Sequence, residues 1–278
     1  MSKNENAKAM DEEFISYVVA SADMKLGILS YSTTRYIMRA VLAGVIIIFG
    51  YLIYVAAIAN FVDDPAGKLF GSVFFSLCLL TIYYTKSELL TSNMMMTTVA
   101  RYFGRITTKD MLKVLALCLF GNFLGGLIVG FLIGMSDIIT PEMAATLSET
   151  LHHKLVYFSQ EAAVADLFIK AIFCNFFINL AMLMVYSGAV KSDFGKAIVI
   201  FFGVFIFMYL GLEHSVANTV FFTTAVFYNL FHPNMLTTDV NMLLMICQVA
   251  IVLVGNFIGG GIFIGAYFSF MNKDAKLQ

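Results

Sequence analysis

Residues 211–218 read GLEHSVAN and interrupt an apolar run that extends from 197 to 229. Such a run is longer than the roughly 20 residues one helix needs to cross a bilayer core. Glu213 and His214 stand in its middle. An ionisable group at membrane depth costs about 2.5–3.5 kcal/mol on insertion scales, so it faces a partner or a cavity. Non-helical backbone at that depth is tolerated on the same terms. The stretch therefore predicts a helix broken inside the membrane. A second interruption, TKSELLTSN at 85–93, divides an apolar run over 69–100. Its ELLTSN (88–93) echoes EHSVAN (213–218), with Glu and Asn five positions apart in both.

Outward from the two breaks the pairing continues. GNFLGG at 121–126 lies in the run after the first break, and GNFIGG at 255–260 lies in the run after the second. In all, six apolar spans are expected, near 36–60, 69–100, 112–135, 165–190, 197–229 and 241–270. Two halves of three spans each must run in opposite directions, because three is odd. The expected fold is all-α and integral to the membrane: six transmembrane helices in an inverted 3+3 repeat, with helices two and five broken. Transport proteins of this build place their sites on broken helices at the midplane. In GNxxGG, Gly121, Gly125, Gly255 and Gly259 are read as close helix contacts. Asn122 and Asn256 need hydrogen-bond partners at membrane depth, and a carbonyl of the opposing half or a pore-lining position would serve.

Composition agrees. Of 278 residues 60% are hydrophobic and 13% charged, against about 25% charged in a soluble domain. The mean hydropathy is +0.86. A formal charge of −1 offers no basic footprint for nucleic acid. With no Trp, interfacial anchoring falls to Tyr. Cys78, Cys118, Cys174 and Cys247 each sit in an apolar run without CxxC spacing, and are read as small buried hydrophobes. Neither a metal nor another cofactor is expected. Most of the 17 basic residues fall on one side: in the N-terminal segment, around Arg101–Lys113, at Lys191 and Lys196, and at Lys273 and Lys276. The other side has Lys68 and Lys154 among acids that include Asp63, Asp137, Glu149 and Glu161. By the positive-inside rule both termini are cytoplasmic, in a multi-pass protein of the cell (inner) membrane.

The polar residues 1–13 form no signal peptide and read as a short soluble tail. Residues 11–34 have helix-like apolar spacing, for a surface helix or a packing element. The domain reading is thus 1–34, a cytoplasmic N-terminal amphipathic helix; 35–271, the channel domain; and 272–278, a cytoplasmic tail.

Chemically, His214 is the one histidine deep in a span, since His152, His153 and His232 fall in or near outer loops. One imidazole between apolar walls, opposite the Thr91 hydroxyl of the other break, suits a small weak acid that can take a proton or a hydrogen bond. Glu88 and Glu213 are read as supports that accept hydrogen bonds from free backbone N–H groups at the breaks, with Ser92 and Asn218 beside them. No acidic ring or carbonyl filter for cations is visible. No GxSxG or HExxH motif marks an enzyme.

These residues resemble the formate/nitrite transporter family along essentially the whole chain. The shared pattern is the acidic-x-x-T-S break (Glu88 to Ser92), GNxxGG in spans three and six, Cys174-Asn175 in span four, and E-H-S-x-A-N in span five. The resemblance implies an aquaporin-like fold and a homopentamer in which each protomer has its own pore. It implies passage of small monovalent anions with a proton. By resemblance His214 is the central pore histidine and Thr91 its partner. Phe75, Leu79 and Phe207 fall at an outer apolar constriction, and Leu89 and Leu90 near an inner one. Lys154 is the vestibule lysine, with Lys170 as the other option; Asn175 and Asn256 line the substrate path. Formate or nitrite is the first expectation, with hydrosulfide or lactate next. A neutral-solute pore of the water or glycerol type is the rival class, but its paired NPA boxes are absent.

Overall fold

The computed structural model describes residues 3–62, 64–159 and 163–274. Asp63, Glu161 and residues 275–278, which include Lys276, lie outside the described residues. Every regular element in them is helical. Helix α1 (Lys3–Tyr31) leads into α2 (Thr33–Asn60), α3 (Pro65–Thr85), α4 (Leu90–Tyr102) and α5 (Thr108–Gly134). After α6 (Pro141–Leu155) come α7 (Ala163–Tyr186), α8 (Asp193–Tyr209) and α9 (Ser215–Phe231). Helix α10 (Met242–Asn256) continues through a π-helical stretch (Phe257–Ala266) into α11 (Tyr267–Met271). Five helices are long and apolar enough to cross a membrane: α2, α3, α5, α7 and the continuous run Met242–Met271. At 17 residues each, α8 and α9 are shorter. They share the expected 197–229 span, as α3 and α4 share most of 69–100.

Local chemistry sets the ends. Ser32, Asp64, Thr140, Ser192 and Asn241 each accept an N–H of the helix they precede, and Pro65 and Pro141 occupy first-turn positions where no N–H is needed. Thr107 and Asp110 cap α5 reciprocally.

Solvent polarity is reversed relative to a water-soluble protein. Glu88, Asn93, Asn122, Asn175, Glu213, Asn218, Gln248 and Asn256 are buried, whereas Phe49, Phe74, Phe120, Leu132, Ile246 and Phe263 are exposed. That arrangement belongs in a hydrocarbon solvent. Helix α2 packs on α3 and α5, and α7 packs on α8, α10 and the π-helical stretch; α5 crosses to α9, and α4 crosses to the π-helical stretch.

The GNxxGG glycines sit where backbones touch. A Cβ on Gly125 would overlap the Val41 carbonyl of α2, and one on Gly259 the Ile172 carbonyl of α7. Gly125→Ala and Gly259→Ala are each expected to cost about 1–3 kcal/mol by forcing these helices apart. A Cβ on Gly27 meets nothing within 4 Å, so Gly27→Ala should leave stability unchanged or raised. Thermal unfolding of the three variants in detergent checks the contrast.

Two regions depart from the sequence reading. The polar start is part of a helix that begins at Lys3, and α1 buries Phe14, Ile15, Val18 and Leu29 against the rest of the protein. It is a packing element from Phe14 onward, so a soluble tail over 1–13 is replaced by helix from Lys3. The connection between α5 and α7 holds a helix, α6, started by Thr140 and Pro141.

Candidate functional site

The site is assembled where α4 and α9 begin. Helix α3 ends at Lys86 in a left-handed conformation, residues 86–89 carry the chain across, and α4 starts at Leu90. Helix α8 ends at Leu210, Gly211 is left-handed, and α9 starts at Ser215. The first helical N–H of each is capped from a distance. Leu90 N donates to Asn122 Oδ1 at 3.0 Å, and Ser215 N donates to Asn256 Oδ1 at 2.8 Å. The same two amides donate backwards. Asn122 Nδ2 reaches the carbonyls of Ala40 and Glu88, both at 2.8 Å; Asn256 Nδ2 reaches those of Ala171 (2.7 Å) and Glu213 (2.9 Å). Each Asn thus ties a break to the first helix of its own half.

This corrects three expectations. Asn122 and Asn256 bind carbonyls of their own half, not the opposing one. Asn256 is fully buried as a brace and does not line the recess beside α6. The glutamates do not cap backbone N–H groups, since the asparagines already do. Instead Glu213 Oε2 accepts from Lys154 Nζ (2.9 Å), Asn218 Nδ2 (2.7 Å) and Gln248 Nε2 (3.2 Å). Lys154 also donates to Asn218 Oδ1 at 2.8 Å. At the other break Glu88 is ion-paired with Lys25 of α1 and accepts from Asn93 Nδ2 at 3.0 Å. Burial works against the Lys154 ammonium, but the neighbouring Glu213 carboxylate holds its pKa above the ordinary lysine value.

The two helix starts meet at Thr91 and His214, whose Oγ1 and Nε2 are 3.0 Å apart. His214 is itself the N-cap of α9: Ala217 N donates to its Nδ1 at 3.0 Å. With Nδ1 an acceptor, the neutral ring carries its hydrogen on Nε2, where it donates to Thr91 Oγ1. That oxygen has no other partner among the described residues, which leaves the hydroxyl hydrogen free to donate. The Thr91 carbonyl is held by Asn175 Nδ2 and Asn179 Nδ2, each at 3.2 Å. Asn175 also donates to the Asn256 carbonyl at 2.7 Å, so it braces the breaks from a fully buried position.

Apolar side chains close the space beside His214. Phe207 stacks on the imidazole with ring centroids 5.6 Å apart, and Phe75 meets Phe207 edge-on at 6.0 Å. Phe75, Leu79, Leu89, Phe207 and His214 line a void of about 20 Å³, room for about one water. On either side the protein opens. A recess of about 490 Å³ on the α1 side is lined by Lys25, Leu79, Lys86, Glu88, Leu89 and Ser92 among others. A recess of about 540 Å³ on the α6 side is lined by Tyr51, Lys68, His153, Lys154, Lys170 and Glu213 among others. Leu79 thus lines the void with Phe75 and Phe207 and also shares the α1-side wall with Leu89, whereas Leu90 lines neither the void nor that recess. Lys154 sits at the deep end of its recess; Lys170 lies nearer the rim, paired with Asp166 at 2.7 Å and with the Tyr157 hydroxyl at 3.2 Å.

Lys25, Asn179 and Gln248 escape the sequence reading. An Asn four residues after Asn175 in an apolar span is a legible signal. An unpaired Glu88 at membrane depth equally demands a cation.

Buried polar breaks, an apolar exterior and two recesses facing one narrow void define a multi-pass helical membrane transport protein. The family model described as formate/nitrite transporter matches residues 12–270. The chain is 31% identical over 252 residues to the formate channel FocA of Haemophilus influenzae, covering 85% of this chain and 86% of that protein. It is 26% identical to the formate-nitrite transporter of Plasmodium falciparum, over 88% of this chain and 80% of that one. Among solved structures, an FNT family ion channel superposes with a TM-score of 0.78 at 22% identity, covering 93% and 98% of the two chains. A pentameric formate channel with formate bound gives 0.72 at 23%, covering 87% and 98%. The chain belongs to the formate/nitrite transporter family.

Proposed function

We propose that the protein passes small monovalent anions, formate or nitrite first, through a pore in each protomer that runs from the α1-side recess past His214 to the α6-side recess. Supporting this reading, two helix N-termini meet at the Thr91–His214 contact beside a small apolar void, and the Thr91 hydroxyl hydrogen is left free to donate. Aligned peptide dipoles leave positive potential at helix N-termini, and backbone at such ends is a natural anion site. Lys154, at the base of the outer recess, is matched by Glu213 and holds the second break beside the path. A hydrated ion does not fit about 20 Å³, so the solute sheds water and displaces Phe75, Phe207 or the leucines as it passes.

In this reading Thr91 donates the hydrogen bond and His214 orients it. Ring protonation at Nδ1 would cost the Ala217 cap bond, so a co-transported proton travels with the solute. The two halves form an inverted repeat with helices two and five broken, in a homopentamer of the inner membrane with cytoplasmic termini. The domain limits 1–34, 35–271 and 272–278 and the lipid bilayer as partner belong to the same proposal. Hydrosulfide and lactate are the next solutes to test.

Proteoliposome uptake decides it. Formate, nitrite, hydrosulfide, lactate and glycerol are offered in parallel at about pH 5.5 and about pH 7.5. Saturable uptake of a weak-acid anion, faster at the lower pH because the solute carries the proton inward, is the expected result. Glycerol permeation without anion uptake would place the protein in the neutral-solute class.

A further inference from the structure

Lys86 breaks the correspondence between the two helix interruptions. Its N–H donates to the Tyr83 carbonyl (3.2 Å), and Ser87 N to that of Ile82 (3.1 Å); in the other break Gly211 N donates to Met208 O (3.1 Å) and Leu212 N to Phe207 O (2.8 Å). The turns are the same, each with its residue in the left-handed region: Lys86 at φ 54° and Gly211 at φ 69°. Glycine adopts that conformation freely, whereas a residue with a Cβ is strained in it. One half thus uses the residue the turn favours and the other accepts strain to present a lysine. Strained backbone of this kind persists where a side chain has work to do.

The place of that side chain says what work. Lys86 is exposed and lines the recess on the α1 side. The other charged groups lining it are already matched: Lys25 with Glu88, and Asp193 with Lys196. Among the described residues no ion pair is formed by Lys86. Gly211 lines the opposite recess and contributes no charge there.

We infer that Lys86 is the anion-recruiting residue of the α1-side mouth, setting the rate at which anions are captured from that face. The inference rests on the proposed anion pathway. An unmatched cation in a cleft with low-dielectric walls raises the local anion concentration and the on-rate, and added salt removes the effect. It acts on capture, not on passage beside His214.

The test compares Lys86→Gln with Lys86→Arg, which share the backbone strain and differ in charge. Initial rates of radiolabelled formate uptake are measured in right-side-out and inside-out membrane vesicles, with an N-terminal tag reporting which face exposes α1. At about 10 mM salt, Lys86→Gln is expected to raise KM about three- to ten-fold for uptake through the α1 face. The maximal rate and uptake through the other face stay unchanged, the difference collapses at about 500 mM salt, and Lys86→Arg behaves as wild type. Lys86→Gly should show the same KM shift with an unchanged or raised melting temperature, because the turn is relaxed. Equal KM values for Gln and Arg at low salt would overturn the inference while leaving the anion pathway standing; so would a loss that is equal on both faces and indifferent to salt. Wild type that carries no anion would overturn the pathway itself, and this inference with it.

Discussion

Lys154→Met alone is expected to destabilise the protein by about 3–5 kcal/mol, as breaking one side of a buried pair does. Glu213 is 4% exposed. Without the ammonium it keeps two amide donors, Asn218 and Gln248, which cannot neutralise a carboxylate in a medium of low dielectric. Glu213→Gln strands the opposite charge: Lys154 keeps neutral oxygens such as that of Asn218 but no carboxylate to neutralise it. It should cost a similar amount. The double variant Lys154→Met/Glu213→Gln strands neither charge, and neutral pairs in place of buried ion pairs are often nearly neutral for stability. Its loss is therefore expected to be far below the sum of the singles, with a coupling energy of about 2 kcal/mol or more. Thermal and denaturant unfolding in detergent supply the cycle. Additive singles would show that the recess hydrates both groups and that the pair does not hold the second break.

That pair marks how far the sequence could be read. The repeats ELLTSN/EHSVAN and GNFLGG/GNFIGG placed two interruptions and two bracing asparagines. The reading works because a break in hydrocarbon must find a partner for every freed backbone group, and each half meets that need with the same residue types at the same spacing. Lys25 was not legible as the partner of Glu88. It lies 63 residues away on a helix whose apolar spacing suits either a membrane surface or a protein surface. Only the packing of α1 against α4 turns it inward. In the wall around His214, Leu90 was misplaced for a different reason. Leu89 is the extended residue before α4 and Leu90 its first helical one, and Leu89 reaches the void while Leu90 does not. Letters carry no rotation angle across a non-helical step such as 86–89. The asparagines show the limit from the other side: their need for partners was readable, but not that each would brace its own half.

Thr91→Val is expected to reduce formate flux about 10- to 100-fold, and Thr91→Ser by no more than about three-fold. The hydrogen bonds around Thr91 set these magnitudes. Ala217 N–H occupies His214 Nδ1, the ring hydrogen on Nε2 occupies one lone pair of Thr91 Oγ1, and the hydroxyl hydrogen is the donor left for an anion. Valine keeps the shape and removes that donor, and a hydrogen bond to a charged partner is worth about 1.5–3 kcal/mol, or about ten-fold for each 1.4 kcal/mol. It also leaves Nε2–H without its acceptor. Serine restores both roles. His214→Asn separates orientation from capping, since Asn is among the best N-cap residues and can accept the Ala217 N–H in place of Nδ1. This variant should fold with near-normal stability yet lose flux, because its shorter side chain does not hold Thr91. The pH profile is the sharper measurement. If the ring keeps Nδ1 as an acceptor, the wild-type profile follows the acid–base equilibrium of the solute alone, rising as pH falls, and His214→Asn lowers its height without moving its midpoint. A separate inflection near pH 6–7 that disappears in His214→Asn would mean the imidazole titrates during transport. The proton would then pass through His214, and the Ala217 cap bond would have to break in every cycle.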